Sequence, residues 1–169
     1  MDLNAILKEK KWKRDQIKNK FSLPPKTKAI WLVKISNKSL IKDLRDTFLV
    51  LPACFIIEVE WAENEKLGEN IIATSKIEPK SLVWFDFIVC DEDIKNMNKY
   101  FELWITPIIS TKNPLNSILQ EFNPIKNEWN AYLFENTEKW NIFYAIVRYL
   151  ENYKFPFDNK NLVKNVLDI

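Results

Sequence analysis

Three consecutive carboxylates, Asp91, Glu92 and Asp93, follow a short apolar segment in the middle of the chain. Carboxylate oxygens at the end of a strand could hold a divalent cation or accept a hydrogen bond from a ribose hydroxyl. The alternative is structural, since these acids could cap the next helix and complement its dipole, for which one carboxylate suffices. We name Asp91 and Glu92 as candidate ligand-binding residues and predict no metal site.

A second polar segment, residues 110–113, consists of Ser110, Thr111, Lys112 and Asn113 and precedes a predicted helix that begins at Pro114. Backbone N–H groups at a helix N-terminus are a common receptor for phosphate. An ordinary turn with an asparagine cap would give the same pattern, so both interpretations stay open. All four residues are candidates for ligand binding.

The residue types exclude several classes of site. The chain has no histidine, which rules out catalytic triads built on imidazole and zinc sites with histidine ligands. We identify no catalytic residue. Whether the protein is an enzyme is left open by the sequence, although a binding role is favoured.

Several features predict a cytoplasmic location. The two cysteines, Cys54 and Cys90, lie inside apolar segments, which is typical of buried thiols in a reducing compartment. No apolar stretch reaches the length of about 18 residues that a membrane span needs. The N-terminus also lacks the charged and then apolar pattern of a secretory signal. We therefore expect no contact with a membrane.

Residues 1–23 predict a basic helix in which Leu3, Leu7, Ile17 and Phe21 share one face. Its basic side chains could contact nucleic acid or another acidic surface. They are Lys8, Lys10, Lys11, Lys13, Arg14, Lys18 and Lys20. Interleaved acids at positions 2, 9 and 15 favour a solvated helix on the flank of the domain instead. Nucleic acid is therefore not an expected partner.

From residue 28 onward, short apolar segments alternate with helical patterns. The predicted strands are 29–35, 54–59, 85–90, 105–109 and 131–134, and the predicted helices are 40–48, 93–103, 113–120, 137–153 and 159–167. Residues 81–84 could form one helical turn. The pattern of residues 63–77 does not decide between helix and strand. We follow the interpretation of a helix with a short extended piece at 71–73.

Such an alternation implies a parallel sheet with helices on both faces. We predict a single α/β domain over residues 1–169. Its core, residues 28–169, is a three-layer Rossmann-like domain with a mainly parallel sheet of about five strands, to which the N-terminal helix is added. Ligands of such sheets bind beyond the carboxyl ends of the strands, which here are the loops 36–38, 91–93 and 110–113.

Four segments in the second half of the chain carry the motifs of a known family. They are residues 81–89 (SLVWFDFIV), 103–109 (LWITPII), 128–135 (EWNAYLFE) and the helix at 137–153. In their order and spacing these segments resemble the C-terminal domain of GT-B glycosyltransferases of the glycogen and starch synthase type. The resemblance covers residues 82–150 and implies a Rossmann-like fold that binds a nucleotide sugar.

Several positions depart from the donor-binding pattern of that family. The family has two glutamates that contact the donor sugar and ribose; the first corresponds to Asp91 and the second to Lys99, which has the opposite charge. A Gly-Gly pair, whose amides approach the nucleotide sugar, is replaced by residues 110–113. The Arg and Lys pair that neutralises the diphosphate has a shifted analogue in Lys34 and Lys38. The acceptor-binding domain is not expected in this chain.

The resemblance therefore implies a glycosyltransferase-like domain that is non-catalytic and acts as a binding or interaction module, with a vestigial nucleotide-sugar pocket at the candidate residues. The alternative is half of a glycosyltransferase, a subunit that binds a nucleotide sugar and completes its site with a protein partner or a second copy. We expect no cofactor, and a nucleotide sugar is the ligand that the resemblance suggests.

The contents of glycine and tryptophan are unusual. The chain has one glycine, Gly68, and seven tryptophans, although average usage would give roughly 12 glycines. Trp84, Trp104 and Trp129 fall where the resembled family favours glycine or another small residue. Some uncultured bacterial lineages read UGA as glycine, and other codes read it as tryptophan. Several of these residues could therefore be glycines decoded with the wrong table, or they could be genuine aromatic residues.

Overall fold

The computed structural model describes residues 3–25, 27, 29–91 and 97–169. The chain divides into two compact units, residues 1–88 and residues 89–169. Each unit has its own helices and its own buried core. The two are described in turn below.

The fold is α/β with a mostly parallel sheet, as the sequence predicts. The strands are β1 (Ile30–Lys34), β2 (Cys54–Glu58), β3 (Glu65–Gly68), β4 (Ile71–Thr74), β5 (Phe87–Cys90), β6 (Thr106–Ser110) and β7 (Tyr132–Phe134). Their order in the sheet is β3-β4-β2-β1-β5-β6-β7. Strand β2 pairs in parallel with β1 and β4, β6 pairs in parallel with β7, and β3 runs antiparallel to β4. The expected number of about five strands is too low.

The helices lie close to their predicted positions. They are α1 (Leu3–Lys20), α2 (Lys38–Leu49), α3 (Asn98–Glu102), α4 (Lys139–Tyr153) and α5 (Pro156–Leu167), with 3-10 helices at Pro79–Trp84 and Pro114–Ser117. The predicted helix 93–103 is confirmed over α3, and residues 92–96 lie outside the described residues. Within the part of the chain that the structure describes, no helix has the length and apolar character needed to cross a membrane.

The core of the first unit lies around strands β1 and β2. The first four residues of each strand are buried, as expected for parallel strands that are covered on both faces. Trp31 is fully buried, and its ring centroid lies 4.6 Å from that of Phe87 and 5.7 Å from that of Phe55. Phe48 of α2 stacks on Phe55 at 4.0 Å. These rings fix α2 against the strands.

The ambiguous residues 63–77 contain strands β3 and β4. The short extended piece predicted at 71–73 is confirmed as part of β4, and the predicted helix is wrong. Strand β4 is buried because it pairs with β2, whereas β3 is an edge strand with Glu65 and Lys66 in solvent. The turn between them packs closely on α2, since a Cβ atom at Gly68 would lie 2.4 Å from Leu49 Cδ2. Pairing of β4 with β2 and its burial therefore decide the structure of this segment, against the helix that the sequence favours.

A buried side chain ties this hairpin to the end of α2. Asn70 Nδ2 donates to Phe48 O and to Ala53 O, at 2.8 Å each. We expect Asn70→Ala to lower the free energy of unfolding by about 2 kcal/mol, because buried carbonyl oxygens lose their donor. The exposed neighbour Glu69 gives the control, and Glu69→Ala should change the free energy by less than about 0.5 kcal/mol. Equal urea midpoints for the two variants would contradict this role of Asn70.

The buried face of helix α1 overlaps only in part with the one that the sequence predicts. Ile17 of the predicted face is buried, Leu7 and Phe21 are half-buried, and Ile6, Lys10 and Lys18 are buried as well. Lys10 Nζ donates to Phe85 O at 2.7 Å, and Lys18 Nζ donates to carbonyl oxygens of the segment that follows the helix. Basic residues that interrupt the apolar stripe in the sequence therefore bond this helix to the unit.

In the second unit, helix α4 supplies the largest part of the core. Its buried side chains include Ile142, Ile146 and Tyr149, and the ring of Tyr149 packs edge-on against that of Tyr132 in β7. The predicted helix 113–120 is shortened to the 3-10 helix Pro114–Ser117. The reason is that Gln120 O accepts from the backbone N–H groups of residues 130 and 131, which draws the chain into an extended bridge.

Candidate functional site

The candidate residues 110–113 form a compact turn in the second unit. Ser110 is buried at the end of β6, and its Oγ accepts from Lys112 N at 3.2 Å. Asn113 N donates to Ser110 O at 2.9 Å, and Asn113 Oδ1 accepts from Leu115 N at 3.0 Å. The structure brings these candidates together, and Asn113 caps the short helix that follows, as predicted.

The backbone N–H groups of this turn are used within the protein. Thr111 N donates to Phe134 O at 2.9 Å, and Asn116 N donates to Asn113 O at 2.9 Å. With the bonds of residues 112, 113 and 115, the amides from 111 to 116 all have protein acceptors, apart from Pro114, which has no N–H. A phosphate could bind these amides only if the turn opened. The charged atom of Lys112 remains exposed to solvent.

The two candidate lysines lie in the first unit, and each has a local partner. Lys34, the last residue of β1, forms an ion pair with Glu58, the last residue of β2. Lys38 Nζ lies 4.8 Å from the centre of the Trp61 ring, which is a cation–π distance. The carboxylate of Glu58 offsets the positive charge of Lys34, whereas the neutral ring of Trp61 leaves the charge of Lys38 in place.

The candidate carboxylates are described in part. Asp91 is half-buried immediately after β5, and Glu92 and Asp93 lie outside the described residues. Among the described residues no group of three or more possible metal ligands is found. Cys54 and Cys90 are both buried, in agreement with their apolar surroundings in the sequence.

A cleft of about 460 Å³ in the second unit is a feature that the sequence reasoning missed. Its four aromatic side chains come from the loop before β7, from β7, from α4 and from the residues that follow α4. The lining residues are Glu121, Phe122, Pro124, Tyr132, Tyr144, Val147, Arg148, Glu151, Asn152, Phe155 and Asp158. A mostly apolar cleft with a few polar groups is the usual form of a small-molecule site.

An ion pair forms one wall of the cleft. Arg148 pairs with Glu121, and both bind the backbone of Leu133: Glu121 Oε2 accepts from its N–H at 2.7 Å, and Arg148 Nη2 donates to its carbonyl at 2.6 Å. Burial raises the pKa of Glu121, against the opposing effects of the Leu133 N–H and of Arg148. Burial likewise raises the pKa of Tyr132, whose ring lies under the guanidinium. The phenol therefore stays neutral and can donate a hydrogen bond.

The cleft also has polar atoms without protein partners and rings open to solvent. Asn152 is buried, and its Nδ2 has no hydrogen-bond partner among the described residues; the same holds for Arg148 Nε. The rings of Tyr144 and Phe155 are 62% and 59% exposed. Such a surface can bind a ligand that has a flat apolar face and hydrogen-bonding groups along its edge.

A sequence signal for this cleft exists in helix α4. Tyr144, Arg148 and Asn152 follow one another at intervals of four residues, which places them on one side of a helix. That side adjoins the apolar stripe of Ile142, Ala145 and Ile146. The spacing alone is also compatible with a solvated helical face, so the loop residues that complete the cleft could not be assigned from it.

Comparisons with known proteins agree with this fold. Neither a protein-family model nor a curated protein matches the sequence. Among solved structures, the catalytic domain of starch synthase IV from Arabidopsis thaliana, bound to ADP and acarbose, matches with a TM-score of 0.74 and 14% identity over 95% of this chain and 39% of that chain. The wall teichoic acid polymerase TagF matches with a TM-score of 0.56 and 14% identity over 92% of this chain and 40% of that chain. The spinosyn rhamnosyltransferase SpnG matches with a TM-score of 0.53 and 13% identity over 83% of this chain and 41% of that chain.

These neighbours are GT-B glycosyltransferases, and the chain has the fold of a GT-B glycosyltransferase domain. The resemblance found in the sequence is thereby confirmed at the level of the fold. At 13% to 14% identity the likeness concerns the fold alone. The chain spans about two fifths of the length of these neighbours.

Proposed function

We propose that this chain is a non-catalytic glycosyltransferase-like module that works in the cytoplasm as a binding or interaction module. The observation that supports this proposal most is the hydrogen bonding of residues 111–116, whose backbone N–H groups, apart from Pro114, which has none, donate to protein acceptors. A nucleotide-sugar site at this turn would first have to lose its own bonds. Lys34, engaged with Glu58, gives further support.

The ligand of this module binds in the aromatic cleft of the second unit, and we assign it to the saccharides. The exposed rings of Tyr144 and Phe155 can stack on the apolar face of a sugar ring. Asn152 Nδ2 and Arg148 Nε have no acceptor among the described residues, and both atoms are buried, so a small movement of the side chains that cover them would bring their hydrogens to hydroxyl oxygens. A saccharide combines such an apolar face with a rim of hydroxyl groups, and the cleft has room for more than one sugar ring.

ADP and acarbose, the molecules present in the starch synthase IV structure, serve as the two probes. Acarbose should raise the melting temperature of this protein, since it carries sugar-like rings, and ADP should leave it unchanged. Tyr144→Ala should weaken binding of acarbose at least tenfold, which corresponds to about 1.4 kcal/mol. Trp140→Ala, an exposed position on the same helix but outside the lining of the cleft, is the matched control. Isothermal titration calorimetry measures each affinity.

The opposite pattern would contradict this function. If ADP binds and Lys112→Ala abolishes its binding, the turn at 110–113 retains a nucleotide site. If neither probe binds at millimolar concentration, the cleft is not a saccharide site. The first result would show a working nucleotide site at the turn, and the second would show that the cleft does not bind sugars.

Half of a glycosyltransferase is the second candidate function. It is favoured by the fold, which this chain shares with the catalytic domain of starch synthase IV bound to ADP and acarbose. Such a subunit would bind a nucleotide sugar with Asp91, Glu92 and residues 110–113, assisted by Lys34 and Lys38, and complete its site with a protein partner or a second copy. Thermal-shift measurements with nucleotide sugars, combined with light scattering for the oligomeric state, test this candidate. No shift by any nucleotide sugar would exclude it.

A further inference from the structure

Five residues other than glycine have a positive φ angle in the described part of the chain. They are Ser22, Asn64, Trp104, Asn127 and Trp129, with φ values of 51°, 58°, 56°, 55° and 73°. Asparagine tolerates this left-handed conformation better than other residues that have a Cβ atom. For a bulky side chain it is unfavourable. The two tryptophans are therefore the anomalous members of this set.

Trp104 occupies the position in a helix end where glycine is most favoured. Helix α3 ends at Glu102, and Leu103 is its C-cap. Trp104 N donates to Phe101 O at 2.8 Å, and Ile105 N donates to Tyr100 O at 3.0 Å. This pair of bonds defines a Schellman motif, whose left-handed residue is usually glycine.

The indole of Trp104 is also poorly accommodated. The side chain is buried, and its Nε1 has no hydrogen-bond partner among the described residues. A buried indole N–H usually has an acceptor, and leaving it without one is unfavourable. Backbone conformation and side-chain environment thus both disfavour tryptophan at this position.

Trp129 lies between two isolated bridges, Asn123 with Glu128 and Glu121 with Ala131. The N–H groups of Asn130 and Ala131 both donate to Gln120 O, at 3.2 and 3.0 Å. The left-handed conformation of Trp129 in this irregular segment is one that glycine adopts at no steric cost. Trp129 O is fixed by Asn165 Nδ2 at 2.8 Å, while half of the indole lies in solvent.

The other described tryptophans differ from these two in backbone conformation, since none of them has a positive φ angle. Trp31 is enclosed by aromatic rings in the first unit, and Trp140 lies on the surface of helix α4. Trp84 has no positive φ, and Lys20 Nζ lies 5.6 Å from the centre of its ring. The family resemblance singles out Trp84, Trp104 and Trp129 together, but only Trp104 and Trp129 have a positive φ angle.

We infer that positions 104 and 129 carry glycine in the natural protein and that their codons are UGA read as glycine. This assignment gives each of the two left-handed sites the one residue without a Cβ atom. It also raises the glycine content of a chain that has a single glycine. The indole of Trp129 is then no part of the natural surface, and no ligand or partner is recognised through it.

Peptide mass spectrometry of the protein isolated from its natural host tests the assignment, together with the sequence of the gene. Glycine in the peptides that contain positions 104 and 129, with UGA codons, is the expected result. Tryptophan encoded by UGG at either position overturns the assignment at that position. Trp31, which is buried among aromatic rings, is the internal standard and should be found as tryptophan.

Pairs of variants test the structural basis in the recombinant protein. At positions 104 and 129 the glycine variant should melt roughly 2 to 4 °C above the alanine variant, because alanine retains the Cβ atom that clashes in the left-handed region. Position 140 in helix α4 is the control, where the order should be reversed, since glycine is unfavourable inside a helix. Trp104→Gly should also melt no lower than the parent chain. A large loss of melting temperature in Trp104→Gly, as expected for a genuine core tryptophan, would overturn the inference.

Discussion

Replacing Asp86 with alanine should lower the free energy of unfolding by about 3 to 5 kcal/mol, because it leaves buried cations without their counter-charge. Asp86 is buried immediately before β5 in the first unit. Its Oδ2 accepts from Ile30 N at 3.0 Å and lies 3.6 Å from Arg14 Nε. Lys10, which is also buried, interacts electrostatically with the same carboxylate.

The effect is large because one carboxylate serves two cations and a backbone donor. Taking charges out of water costs several kcal/mol for each ion, and the cost is offset only where partners remain. In Asp86→Ala, Lys10 and Arg14 would face each other near the carbonyl of Phe85 without a neutralising group. Helix α1 would then lose much of its attachment to the unit.

Two further variants separate charge from hydrogen bonding. Asp86→Asn keeps an acceptor for Ile30 N but removes the charge, so a loss close to that of alanine would assign the effect to the cations. Asp46 is exposed on α2, and Asp46→Ala should change stability by less than about 0.5 kcal/mol. Urea unfolding at pH 7 gives all three values. A loss below about 1 kcal/mol for Asp86→Ala would show that α1 is held by its apolar residues instead.

The sequence predicts this helix but not the role of its charges. Its length and position follow from helix-forming residues up to Lys20 and from the proline pair that follows. Acidic residues interleaved with the basic ones favour a solvated helix, which places Lys10 and Arg14 in solvent. Their partner, Asp86, is far away in the chain, and no local periodicity reveals a pairing of that kind.

The sheet shows the same division between local and distant information. Strands β1, β2, β5 and β6 are continuous apolar segments, and their burial can be read from composition. Strands β3 and β4 have mixed patterns, and their structure depends on pairing with β2. Propensity over residues 63–77 could not decide between helix and strand, because burial of β4 in the sheet supplies the free energy that decides it.

The candidate turn could be placed from sequence, whereas its chemistry could not. Ser110 and Asn113 were expected at a strand end and a helix cap, and both occupy those places. The sequence does not show that the amides between them are already bonded to Phe134 and to the turn itself. A loop can bind a phosphate only if its backbone N–H groups lack protein acceptors. Tertiary structure decides whether such acceptors are present.

Raising the pH should stabilise the protein through Lys10, by up to roughly 3 kcal/mol between pH 8 and pH 10.5. Burial lowers the pKa of Lys10 from 10.5 to about 8, against the opposing field of Asp86, with a smaller lowering by Arg14. Below pH 8 the amine is protonated in both states, and its desolvation disfavours the folded state. Between the two pKa values the unfolded chain holds a proton that the folded protein has released, so stability rises with pH.

The comparison of the parent protein with Lys10→Met isolates this contribution. Methionine fills a similar volume without a charge, and all other titrating groups cancel in the difference between the two profiles. We expect the free energy of unfolding of the parent, relative to that of Lys10→Met, to increase as the pH rises from 8 to 10. Urea unfolding at intervals of half a pH unit measures this difference. In Asp86→Ala the rise should begin at a lower pH, because the carboxylate that raises the pKa of Lys10 is gone. Parallel profiles for parent and Lys10→Met would mean that Lys10 reaches solvent and keeps its proton in the folded state.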